Sequence, residues 1–172
     1  ILLLINFNNK MEFVVDLNDI PYDFCPMCKY DKISHSFHKI LETEQEIYYY
    51  TCPSDAIHYD DTDGIIAHFY HELEICHKKN KKWVWLFSCY NFGIKHMVQI
   101  NQVRRFINFL YPRYTYMLQN IYILHLNTIF RSFYNTIYYF IPEILRKLII
   151  IPERKKFNIE VIRDNNLLYI QM

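Results

Sequence analysis

Apolar residues recur along the chain in short runs, and the spacing within those runs changes from one to the next. The run 47–51, Ile-Tyr-Tyr-Tyr-Thr, is β-branched and aromatic, with charge before it and Pro53 after it, which predicts a strand. Asp60, Asp61, Thr62 and Asp63 precede Gly64, placing acidic side chains at the positive end of a helix. Behind them Ile65, Phe69, Leu73 and Cys76 fall at helical spacing, with Ile66 beside them. A lysine-rich turn at 78–82 follows. The run 83–87, Trp-Val-Trp-Leu-Phe, is apolar at every position, as in a strand buried on both faces of a parallel sheet. Ile100, Val103, Ile107 and Leu110 predict a second helix, ended by Pro112. The run 121–124 is another buried strand. Ile129, Phe133, Ile137 and Ile141 step by four along a third helix, with Phe130, Tyr134 and Tyr138 on an adjoining stripe, and 148–151 is a short strand. The tail to Met172 adds one further strand or a short helix. Strands alternating with helices specify an α/β fold, a three-layer sandwich around a mostly parallel central sheet.

Composition changes this picture little. The chain has 172 residues, 52% of them hydrophobic, which is enough for one domain with a substantial core. A net charge of +1 supplies no field that would recruit nucleic acid, and none is expected as a partner. Arg104, Arg105 and Arg113 read as a solvated helix face. The first residues are apolar but lack a basic start and soon give way to asparagines, so no signal peptide is expected, and Met11 is a candidate natural initiator. The stretch 121–151 is interrupted by His125, Arg131, Pro142 and Arg146 and does not read as a membrane span. Five cysteines, an odd number, suit reduced thiols and a cytoplasmic location.

From about residue 46 to 151 the order of motifs resembles the Sec14-like (CRAL-TRIO) lipid-binding domain family. That family has a strand ending in an Asp-x-x-Gly turn. The counterpart here runs from Trp83 to Gly93, with Ser88 at the Asp position and Asn91 at the first Gly. A second block matches further on: Tyr111-Pro112, then Ile121-Tyr122-Ile123-Leu124-His125, then Ile129-Phe130 and an aromatic-rich helix as far as Pro142. His125 stands for the usual Asn and Asn127 for the usual Pro. The helical N-terminal cap of longer members has no counterpart. The resemblance implies residues 1–45 as an N-terminal extension and 46–172 as a CRAL-TRIO-like domain. It also implies an apolar pocket closed by a mobile helix, walled by Phe130, Phe133, Tyr134, Ile137, Tyr138 and Ile141, all of which could equally be core.

Other constellations offer less. Cys25-x-x-Cys28 supplies two thiolates from one turn, half of a tetrahedral zinc site, with His35 and His38 or Cys52 and His58 as the remaining candidates. Zinc is the one cofactor the pattern admits. Two ordinary thiols in a turn is the competing reading. His68 and His71 read as polar histidines on a solvated helix face, and Asp60, Asp61 and Asp63 as helix capping. With two glycines in the chain there is no nucleophile elbow, phosphate loop or dinucleotide fingerprint, and no enzyme activity is expected. The functional expectation is non-enzymatic binding or transfer of a lipid or other hydrophobic small molecule, with transient contact at a membrane surface. The alternative is a ligand-free scaffold for protein interaction, zinc-stabilised through Cys25 and Cys28.

Overall fold

The computed structural model describes residues 2–6, 12–16, 34–97, 100–111, 113–152, 158–163 and 166–171, with side chains placed between 34 and 152. Its elements in chain order begin with β1 (Leu2–Asn6), β2 (Glu12–Asp16), β3 (His38–Glu42) and β4 (Glu46–Thr51). Next come α1 (Thr62–Lys78), β5 (Lys82–Ser88), α2 (Ile100–Leu110) and β6 (Leu118–Leu124). The chain continues through α3 (Thr128–Ile137), α4 (Glu143–Leu148), β7 (Ile149–Ile150), β8 (Asn158–Arg163) and β9 (Asn166–Gln171).

Strands β3 to β7 form one sheet in which spatial order follows chain order. β4, β5, β6 and β7 run parallel, and β3 lies antiparallel on β4 at one edge. The register sets Tyr49, Trp85 and Ile121 in a row, and Thr51, Phe87 and Ile123 in the next. All three long helices pack on that face. Phe69 of α1 and Phe106 of α2 approach Trp85 with ring centroids 5.3 and 5.9 Å apart, and Phe130 of α3 meets Phe87 at 5.3 Å. Successive strand side chains alternate faces, and the opposite-face residues Tyr50, Val84, Leu86 and Leu124 are also buried. Both faces of the sheet are therefore covered in an α/β fold, as the uninterrupted apolar runs predict. A second, four-stranded antiparallel sheet, ordered β2-β1-β8-β9, joins the two ends of the chain.

The differences from expectation have local causes. β3 carries a bulge between Lys39 and Leu41, and the two side chains it buries are His38 and Ile40, so a histidine takes an inward position that a polar/apolar pattern does not mark. β3 also hydrogen-bonds to β4 across the expected boundary at residue 45. α3 ends at Ile137 and passes into a 3₁₀ turn, Tyr138–Phe140. Ile141 is extended (φ −81°, ψ 122°) because it precedes Pro142, which disfavours the helical region. The C-terminal tail forms two strands, β8 and β9, instead of one element.

α1 starts where the acidic cluster predicts. The Asp61 carboxylate accepts a hydrogen bond from the Gly64 amide at 3.0 Å, and its other oxygen lies 3.0 Å from Nε2 of His35, 26 residues earlier. A side chain at position 64 would collide with both partners: its Cβ would sit 2.6 Å from His35 Nε2. Glycine is required there by close approach, with no unusual backbone angle.

Candidate functional site

Parallel sheets present loops and helix N-termini at the carboxyl ends of their strands, and ligand crevices form there. A cavity of about 180 Å³ occupies that position. Its floor is made of Phe69, Trp85, Phe87, Phe92, Phe106 and Phe133. Thr51 and Phe87 come from the ends of β4 and β5, Thr62 and Ile65 from the first turn of α1, and Gln102 and Val103 from the first turn of α2. The indole N–H of Trp85 donates to Thr51 Oγ1 at 2.9 Å, so the largest ring of the floor presents no unsatisfied donor to the cavity. Polar groups gather at the side: His35, Tyr59, His96 and Gln102. Nδ1 of His96 accepts from the Gly93 amide at 2.9 Å, and burial pushes this histidine's pKa down.

The loops behind this cavity show how the chain accommodates its departures from the family wording. Asn91, at a glycine position, has φ +50°, and His125, in place of asparagine, has φ +52°. Asparagine is among the residues that tolerate this left-handed region with least penalty. Ser88 Oγ and His125 Nδ1 lie 3.0 Å apart, so the two replaced positions are hydrogen-bonded to each other. Burial lowers the His125 pKa to about 4, leaving a neutral ring. Asn127 caps α3 by accepting from the Phe130 amide at 2.8 Å. Its amide nitrogen donates to the carbonyls of Cys89 and Phe92 at 3.1 and 3.0 Å, tying the α3 start to the β5 loop.

The six residues expected to wall a pocket fall in different places. Phe133 lines the cavity just described. Phe130 and Tyr134 line a second cavity of about 280 Å³, bounded also by Ile123, Leu126, Ile149 and Ile151 at the β7 edge. Ile137 and Ile141 are buried in the core. Tyr138 is partly exposed and lies under the guanidinium of Arg146, 4.7 Å from its ring centre. Of that floor, the sequence reading gave Phe69, Trp85 and Phe87 as core and Phe133 as a pocket wall and did not single out Phe106, because the residues come from separate elements of the chain. The usable signal is the pair of aromatic residues Trp85 and Phe87 in β5, beside which the helices carrying Phe69 and Phe106 pack.

His68 corrects an expectation. It is 1% exposed, with its ring centroid 5.9 Å from those of both His35 and Phe37, and does not lie on a solvated face. Burial first, then the nearby histidines, lower its pKa to about 3. His71 on the same helix is partly exposed. Asp61 has its pKa lowered: desolvation pushes it up, but the Gly64 amide and His35 outweigh that. Cys25 and Cys28 lie outside the described residues. Among the described residues no group of three or more histidines, cysteines or acids is placed to hold a metal ion, and Cys52, Cys76 and Cys89 are free thiols whose pKa values burial raises. Nor is any helix, among the described residues, long and apolar enough to cross a membrane.

The profile of a family described as the CRAL/TRIO domain matches residues 59–165, a span that begins in the loop before α1 and includes β8. Among solved structures, the crystal structure of Sfh5 superposes with a TM-score of 0.51 at 14% sequence identity. That match covers 63% of this chain and 44% of the other, so the chain spans less than half the length of that relative. No curated protein matches.

Proposed function

Because the chain belongs to the CRAL/TRIO domain family, we propose that it binds a lipid or other hydrophobic small molecule, without chemistry, in the cavity at the carboxyl ends of β4 and β5. The observation that carries this reading is the cavity's construction. Six aromatic side chains form the floor and a few polar groups stand to one side, the composition that small-molecule sites share. The family's association with lipophilic ligands supports the same reading.

A cavity of about 180 Å³ is smaller than the roughly 300–1,000 Å³ of drug-sized pockets, so it takes one chain or ring system and leaves a polar head at the mouth. Each methylene removed from water contributes about 0.8 kcal/mol, so even a short buried segment favours binding.

Native mass spectrometry of the purified chain, followed by organic extraction, tests this directly. A stoichiometric lipophilic adduct is expected, and Val103→Trp, which fills the cavity from α2, should remove it. A clean protein mass together with no uptake of labelled lipids from vesicles would overturn the reading.

A further inference from the structure

We infer that His96 is the specificity-determining residue of the first cavity: its Nε2–H donates a hydrogen bond to the carbonyl oxygen of an uncharged, flat ligand, an aromatic ketone or aldehyde. The inference rests on the reading above and narrows its ligand class.

The position of the imidazole proton is set by a neighbour. His96 closes the 3₁₀ turn Ile94–His96 between β5 and α2, and the Gly93 amide donates to its Nδ1 at 2.9 Å. A ring nitrogen that accepts from an N–H carries no proton of its own, so in the neutral imidazole the proton sits on Nε2. Burial, and then Lys95, lower the pKa of this histidine and so favour the neutral ring. Nε2 has no hydrogen-bond partner among the described residues, and it is not one of the polar atoms sealed in the core without one. The residue as a whole is only 5% exposed and lines the cavity, so the space open to Nε2 is the cavity itself. A protonated Nε2 has no lone pair to offer a metal ion, which leaves hydrogen-bond donation as its chemistry.

The rest of the lining decides what accepts. Other polar side chains there are already engaged: the Trp85 indole on Thr51, the Gln102 amide on the Asp60 carbonyl at 3.3 Å, and His35 with Asp61. Tyr59 stands beside His96, its ring meeting the imidazole edge-on at 5.1 Å. Among the described residues no lysine, arginine, aspartate or glutamate lines the cavity. A carboxylate or phosphate would therefore enter without a counter-charge, whereas a carbonyl gives up a hydrogen bond to water that Nε2–H replaces. Shape points the same way. Phe69 meets Trp85 and Phe106 edge-on at 5.3 and 4.7 Å, and a floor of ring faces and edges suits a flat ring better than a flexible chain. An apolar cavity of about 150 Å³ takes benzene, so one of about 180 Å³ takes an aromatic system bearing a short acyl group.

The test is a calorimetric titration of the intact chain with 2-acetylnaphthalene, beside two relatives. In 2-isopropenylnaphthalene a methylene replaces the carbonyl oxygen at nearly the same shape, and 2-naphthoate carries a charge. The ratio of ketone to alkene affinity should fall about fivefold in His96→Phe, the worth of one hydrogen bond. His96→Gln, which keeps an N–H donor, should restore part of that ratio, and naphthoate should bind more weakly than either neutral compound. Long-range ¹H–¹⁵N spectra of the unsubstituted protein supply a readout that needs no variant. The His96 proton should be found on Nε2, and it should move downfield with the ketone but not with the alkene. A proton on Nδ1, an affinity ratio unchanged in His96→Phe, or tightest binding of naphthoate would overturn the inference while sparing the reading of the cavity. Binding of none of the three compounds, or binding unaltered by Val103→Trp, would sink both.

Discussion

The half of the sheet built from β3, β4, α1 and β5 differs from the half built from β6, α3, α4 and β7 in how its polar groups are spent. In the first half the polar side chains are turned inward and consumed by structure. His35 braces the Asp61 cap, Tyr49 donates to the Glu72 carbonyl at 3.2 Å, and His38 and His68 are buried. Rings stack closely there, Phe37 on Phe69 at 3.6 Å and on Tyr49 at 4.6 Å. In the second half, helix gives way to a 3₁₀ turn and then to a six-residue helix, and Tyr139 and Ile144 are exposed at 85% and 51%. Arg146 there stacks its guanidinium on Tyr138, 4.7 Å from the ring centre. The contrast teaches that one half of this fold spends its polar groups on internal bracing, while the other leaves large apolar and aromatic side chains exposed.

The sharpest way to break the contrast is to empty the first half. Phe69→Ala removes a ring that stacks on Phe37 and meets Trp85 and Phe106 edge-on, and should cost about 3–5 kcal/mol of stability, read by chemical denaturation. Tyr139→Ser on the exposed side should stay within about 0.5 kcal/mol. If the two variants proved equally destabilising, the division would fall.

Acid should erode the protein next. Burial lowers His38 and His125 to about 4 and His68 to about 3, so all three are neutral in the fold while an unfolded chain binds protons from about pH 6.5 downward. Their contribution is present above that pH and is lost as pH falls from it toward the folded values, at up to about 1.4 kcal/mol per pH unit for each histidine. Thermal melts between pH 8 and 5 should show the decline, and His125→Asn should leave its larger share, since two of the three histidines lie in the first half. A stability independent of pH over that range would contradict the burial of these rings.

The smallest effect sharpens the boundary between the halves. Asn127→Ala loses a helix cap and two hydrogen bonds to the β5 loop, and should cost about 1–2 kcal/mol. It should weaken ligand retention in the first cavity, which that loop lines through Phe92.

Much of the fold was legible because β4, β5 and β6 are buried on both faces, and a run such as 83–87 has no other comfortable reading. β3 was not legible, since one of its two buried positions is His38, which counts as polar in any pattern. The α3 stripe continued past Ile137 in the sequence because spacing does not register what Pro142 does to the residue before it. His68 was misread because a histidine counts as polar in any pattern, whereas the fold uses it as a neutral ring. The site was least legible. Its aromatic residues are scattered across β5, α1, α2 and α3, and only the register of the sheet brings them to one floor. Ser88 and His125 looked like two independent losses, and their hydrogen bond became visible only when β5 and β6 were set side by side.

The agreement between spatial order and chain order in the β3–β7 sheet bears on how the protein is made. Each strand leaving the ribosome finds its neighbour already present as an edge, and the intervening helix covers the new seam, so the sheet can grow during synthesis without waiting for distant sequence. β1 is the exception. Its partner β8, paired Leu2 to Ile162, is translated only after the whole β3–β7 sheet, and closing so long a loop is a slow step of assembly.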